Sequence, residues 1–97
     1  MNKQEMKREF KEALANFLEP ITLAANTTRI RLGLPPVDVT ERKEVAHQMD
    51  YFENGFYEGA AGYYDKWYED KVAYKAYLAG NFAGREFSPC GKFQTIG

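Results

Sequence analysis

The chain has one cysteine, Cys90, one histidine, His47, and one tryptophan among its 97 residues. A single cysteine excludes an intramolecular disulfide, so packing alone has to hold the fold. One histidine without a cysteine cluster supplies too few strong ligands for zinc. The Glu44/His47 pair at i, i+3 therefore reads as an ordinary structural or surface pair, and no metal and no cofactor is expected. Long apolar runs are missing as well: no segment approaches the roughly 18–20 apolar residues of a membrane span. The opening MNKQEMKREF has no apolar centre of signal-peptide length. A cytoplasmic protein without membrane contact is the expectation. The formal net charge is only −1, with no long single-sign run, which argues against a disordered charged arm.

Catalytic constellations are also absent. Cys90 lies in a turn-like Ser88-Pro89-Cys90-Gly91, and a thiol nucleophile needs an activating base that only His47 offers. The Gly59-Ala60-Ala61-Gly62 stretch lacks the Lys-Ser/Thr sequel of a phosphate loop. Glu58, Asp65, Glu69 and Asp70 are interleaved with Lys66 and Lys71, which reads as a solvated face rather than a magnesium site. The chain is not expected to be an enzyme.

Aromatic residues, in contrast, reach 15%, with seven Tyr and seven Phe. Most fall between Glu44 and Leu78. There, apolar or small residues recur at Val45, Met49, Phe52, Phe56, Ala60, Tyr63, Trp67, Tyr74 and Leu78. Steps of three and four fit the helical period. The spacing predicts a long helix over about 40–79, with a kink near Gly55 to Gly62, and places Phe56 and Trp67 on its buried stripe. A hairpin at Asn54-Gly55 or a break into two helices is the alternative. Gly55, Gly59 and Gly62, resumed by Ala73, Ala76, Gly80 and Gly84, form a strip of small residues. Such a strip admits another helix closely, and the first helix is the expected occupant.

Toward the N-terminus, Met6, Phe10, Ala13, Leu14, Phe17 and Leu18 give an amphipathic helix over about 3–19, which Pro20 either ends or separates from the next. A second helix over about 21–32 stops at Gly33, followed by the connector Leu34-Pro35-Pro36. Asp38 or Thr40 is a candidate cap for the next helix, Asp38 having capping-box spacing with Glu41. Residues 87–97 read as an irregular tail that Phe87, Phe93 and Ile96 would pin. No internal duplication long enough for a repeat protein is apparent. The expected fold is one all-α domain over 1–97, with two N-terminal helices packed on one long C-terminal helix.

Three surface features are candidate sites. Tyr57, Tyr64 and Tyr68 repeat by seven and four and would form a ridge flanked by Glu58 and Asp65, suited to a protein partner with a basic surface. Arg29, Arg31, Arg42 and Lys43 are a candidate basic patch for phosphates. Leu34, Pro35 and Pro36 form a segment that a host prolyl isomerase would recognise if it is flexible. Residues 1–43 carry eight Lys/Arg against six Asp/Glu, and residues 44–79 three against seven, so a mildly basic head joins an acidic, tyrosine-rich spine.

In length, single cysteine, Lys/Glu-rich helical head and aromatic body, the chain resembles the anti-RecBCD accessory proteins of lambdoid phages. That resemblance implies a protein of the host cytoplasm that binds the RecBCD helicase–nuclease and modifies its action on DNA ends in recombination. Ala76-Tyr77-Leu78-Ala79-Gly80-Asn81-Phe82-Ala83-Gly84-Arg85, followed by Pro89-Cys90, also resembles the alanine/glycine helix of ribosome modulation factors, which would imply an RNA- or ribosome-associated binding protein. The leading expectation is a non-enzymatic inhibitor or modulator acting through protein–protein contacts, with nucleic acid touched weakly or not at all.

Overall fold

The computed structural model describes residues 3–64 and 66–87. Three helices carry them: α1, Lys3–Arg31; α2, Lys43–Ala60; and α3, Lys71–Phe87. A 3-10 turn, Val39–Glu41, stands between α1 and α2. No strand occurs among the described residues, so the fold is all-α as expected. The partition into helices is not. The two expected N-terminal helices are one, and the expected long helix over 40–79 is two. The tail beyond Phe87, with Cys90, Phe93 and Ile96, lies outside the described residues.

α1 runs through Pro20 without a break. A proline inside a helix removes one backbone bond. Here the carbonyl that loses its donor belongs to Asn16, and both Asn16 and Pro20 are exposed, so the missing bond falls where solvent reaches the helix. Asn16, Phe17, Pro20 and Ile21 together border the groove between α1 and the other two helices. α1 ends where expected: Gly33 takes a φ of 72°. Its amide bonds to the Ile30 carbonyl and that of Leu34 to Arg29, the paired bonds that close a helix around a left-handed glycine.

The connector that follows is fastened rather than loose. The buried Asn26 side chain accepts from the Val37 amide at 2.7 Å and donates to the Val37 carbonyl at 3.2 Å. Arg29 Nε donates to the Pro35 carbonyl at 2.8 Å. Asp38 caps the 3-10 turn by accepting from the Thr40 amide and hydroxyl, and these bonds hold its carboxyl below the usual range. Val39 is then driven into the core.

α2 stops at the second left-handed glycine. Gly62 has a φ of 94°, and the Tyr63 amide bonds back to the Glu58 carbonyl at 2.8 Å. α3 opens on Asp70, whose carboxylate accepts from the amides of Val72 and Ala73, an N-cap. Between these signals, residues 61–70 form no helix.

The reason lies in how α2 and α3 meet. Gly55 lies against the backbone of Tyr77 and Asn81, and Gly59 against that of Asn81 and Arg85. Gly80 lies against the Phe52 backbone, and Gly84 against Phe56 and Ala60. Rising residue numbers on one helix meet rising numbers on the other, so α2 and α3 are parallel. A parallel pair requires the chain to return along its own length, here about 25 Å at 1.5 Å per residue. Ten residues span at most roughly 33 Å when extended. The connection between the turn at Ala61–Gly62 and the bend at Glu69–Asp70 therefore has little slack, which overrides the helical spacing of Tyr63 and Trp67.

The contact is also reciprocal. Phe52-x2-Gly55-x3-Gly59 in α2 and Tyr77-x2-Gly80-x3-Gly84 in α3 are the same pattern, 25 residues apart. The carbonyls of Phe52 and Tyr77 each cover the first glycine of the opposite motif; those of Phe56 and Asn81 each cover the second. The small-residue strip thus packs against itself rather than against the first helix, and a short duplication is present after all. Carbonyl oxygens this close to glycine backbone fit the weak Cα–H···O contacts of close helix crossings.

α1 lies antiparallel to the pair. Phe10 meets the rings of Phe56 at 5.4 Å and Tyr57 at 5.5 Å, and Phe17 meets Phe52 at 4.9 Å. Phe52, Phe56, Val45, Ala60, Ala73, Ala76 and Tyr77 form the buried core. Phe56 lies on the buried stripe as expected. Trp67 does not, being 67% exposed.

Candidate protein-binding surface

The extended return, residues 61–70, crosses the face of the α2–α3 pair that α1 leaves uncovered. α1 meets Phe52, Phe56, Ala76 and Ala79, whereas the return meets Tyr51, Glu58, Tyr77, Asn81 and Arg85. Asn81, fully buried, is its main fastening. Its side-chain amide donates to the Tyr63 carbonyl at 2.9 Å and to the Gly55 carbonyl at 3.2 Å. Its oxygen accepts from Arg85 Nε at 2.9 Å. The Arg85 guanidinium in turn lies 4.0 Å from the centre of the Tyr64 ring and 4.9 Å from that of Phe82, cation–π geometry.

Glu58 makes the second fastening. Its carboxylate accepts from the Tyr77 hydroxyl at 2.8 Å and from Lys66 Nζ at 2.9 Å. Burial pushes the Glu58 carboxyl up, but the bonds from Lys66 and Tyr77 outweigh it and hold the group below its usual range. Burial, then the neighbouring carboxylate, pushes the Tyr77 phenol far above the ordinary tyrosine range. At neutral pH the Tyr77 hydroxyl is therefore a donor and Glu58 an acceptor. The bond to Glu58 raises Lys66 too. Tyr68 completes the fastening, edge-on to Tyr51 at 4.8 Å and to Tyr77 at 5.3 Å.

These contacts correct the expected tyrosine ridge. Tyr57, Tyr64 and Tyr68 do not share a helical face: Tyr57 is in α2, and the other two are in the extended return. Tyr64 and Tyr68 are half-buried against Arg85 and the Tyr51–Tyr77 pair, and Glu58 is a fastening rather than a rim charge. Asp65 lies outside the described residues. The rings that the return displays are its exposed ones, Tyr63 at 69% and Trp67 at 67%. Spacing at i, i+4 disguised these two as stripe residues. The repeated aromatic-x2-Gly-x3-Gly pattern was the signal that α2 and α3 pair and that the segment between them must return.

Arg29, Arg31, Arg42 and Lys43 flank one connector, at the end of α1 and the start of α2. Arg31, Arg42 and Lys43 are exposed, whereas Arg29 is half-buried and bonded to Pro35. Leu34, Pro35 and Pro36 are exposed as expected. His47 is exposed and edge-on to Tyr51 at 4.9 Å. Among the described residues, no group of three or more His, Cys, Asp or Glu is placed to hold a metal. No helix there is long and apolar enough to cross a membrane. The glycines of the Ala76–Arg85 segment are occupied in helix packing, and Arg85 in holding the return.

No protein-family model, curated protein or solved structure matches this chain. The fold defines a small all-α protein with a parallel helix pair and a fastened, aromatic return segment.

Proposed function

We propose that this protein is a non-enzymatic modulator that binds another protein complex through the return segment, with Tyr63 and Trp67 as anchors. The observation that carries this is two large aromatic side chains held exposed on a backbone fixed by Asn81, Glu58 and Tyr68. Aromatic rings on a pre-ordered backbone lose little freedom on binding, and such residues dominate interface energetics. Tyr64 and Tyr68 flank the two anchors and fix them, whereas Tyr57 packs on Phe10 of α1. The choice of partner, the RecBCD helicase–nuclease of a phage host, rests on the resemblance in chain character. Contact of the Leu34-Pro35-Pro36 loop with a prolyl isomerase is a lesser proposal, supported by that loop's exposure.

Tyr63→Ala/Trp67→Ala tests the reading. Exposed side chains contribute little to stability, so the double variant is expected to denature within about 1 kcal/mol of wild type. Loss of two anchors at about 2 kcal/mol each weakens binding by two to three orders of magnitude. The measurement is degradation of linear duplex DNA by purified RecBCD, with wild type or variant added. Wild type is expected to change the rate and the variant to have no effect. A wild-type protein without effect on RecBCD rejects that partner, and an equally active variant rejects the surface.

A further inference from the structure

A second surface lies on the α1 side, where α1 diverges from the pair and leaves an open cleft of about 670 Å³. Its accessible floor is made by the half-buried Phe17, Ala79, Ala83 and Phe87, with Phe52 and Phe56 buried beneath them. Its rim carries Glu5, Glu9 and Glu12 from α1 and Glu86 from α3, and no lysine or arginine among the described residues lines it. From Glu5 to Phe17 the wall runs about 18 Å along α1, the length of a three-turn helix.

We propose that this cleft receives a basic amphipathic helix of a partner protein, its apolar face on the floor between Phe17 and Phe87 and its lysines or arginines against Glu9, Glu12 and Glu86. An apolar groove of this length takes a helix through side chains at i, i+3, i+4 and i+7. A rim of one sign selects the opposite sign and repels its own kind. A second copy of the chain in symmetric contact would set glutamates against glutamates. The chain's own residues 88–97 bring a single cation, Lys92, against Glu9, Glu12 and Glu86. A basic helix satisfies both floor and rim. This goes beyond the return-segment surface and uses different residues.

The probe is a fluorescein-labelled 14-residue peptide of leucine and lysine with leucines at helical spacing, titrated with the full chain and followed by anisotropy. It is expected to bind at least tenfold more tightly than the same peptide with glutamate for lysine. Glu9→Gln/Glu12→Gln/Glu86→Gln weakens it at least fivefold, whereas Glu41→Gln/Glu44→Gln/Glu53→Gln, an equal charge change elsewhere, leaves it unchanged. Tyr63→Ala/Trp67→Ala also leaves it unchanged, which separates this surface from the other. Equal weakening by both glutamine triples means diffuse attraction and overturns the proposal, as does absence of the lysine preference. Tenfold tighter binding by Phe93→Ser/Ile96→Ser in the full chain assigns the cleft to the chain's own C-terminus and overturns it. A dimer in sedimentation that the first triple abolishes assigns it to a second copy, with the same consequence.

Discussion

Gly80→Ala is expected to destabilise the domain by on the order of 3 kcal/mol or more, enough to leave part of the population unfolded at 37 °C. A methyl group on Gly80 points into the Phe52 carbonyl, and what it meets is backbone, not a side chain that can turn aside. Relief requires α2 and α3 to separate along their whole contact, since Gly55, Gly59 and Gly84 depend on the same spacing. Separation loosens Phe52, Phe56 and Tyr77 together. A chain of this size has a total of only about 5–15 kcal/mol to lose. Gly33→Ala is the control: its φ is 72° but nothing lies within 4 Å of the added carbon, so only the backbone preference, about 1–2 kcal/mol, is at stake. Urea denaturation of the two variants beside wild type decides it. Equal midpoints for Gly80→Ala and wild type contradict the close helix contact.

Phe56→Ala is expected to cost about 3–5 kcal/mol, the range for emptying a fully buried aromatic site. Phe56 is 1% exposed and has ring neighbours from three elements: Phe10 of α1, Tyr57 of α2 and Phe87 of α3. The cavity cannot close by a local shift, because the Phe56 carbonyl is pressed onto Gly84 and fixes its backbone. Thermal melts should show a fall of many degrees. A melt like wild type places Phe56 outside the core.

Side-chain type along the chain made the helical class, the Gly33 stop and the burial of Phe52 and Phe56 legible. Continuity was not. Pro20 reads locally as a terminus, yet α1 continues because the bond proline removes lies where solvent reaches the helix and Phe17 still packs on Phe52. Conversely, Tyr63 and Trp67 keep helical spacing, yet neither lies in a helix, because the parallel pair demands a long return. The glycine strip was visible as a contact surface. Its occupant was not, because deciding that α3 rather than α1 covers it takes the 25-residue offset between the two motifs. Asn81 as a fastening has no local pattern beyond one polar residue, and the carbonyls it bonds, Gly55 and Tyr63, are distant in sequence.

Both surfaces depend on the direction of α3 relative to α2, and a distance measurement tests that directly. In a Cys90→Ser background, spin labels on Lys43→Cys/Lys71→Cys join the two helix starts; labels on Lys43→Cys/Glu86→Cys join a start to an end. Parallel helices at about 8–10 Å spacing predict a short separation for the first pair and roughly 25 Å for the second, read by pulsed electron resonance. The opposite order, with the Lys43–Glu86 pair the closer, means an antiparallel hairpin and contradicts the reciprocal glycine contact, the extended return and the surface built on it.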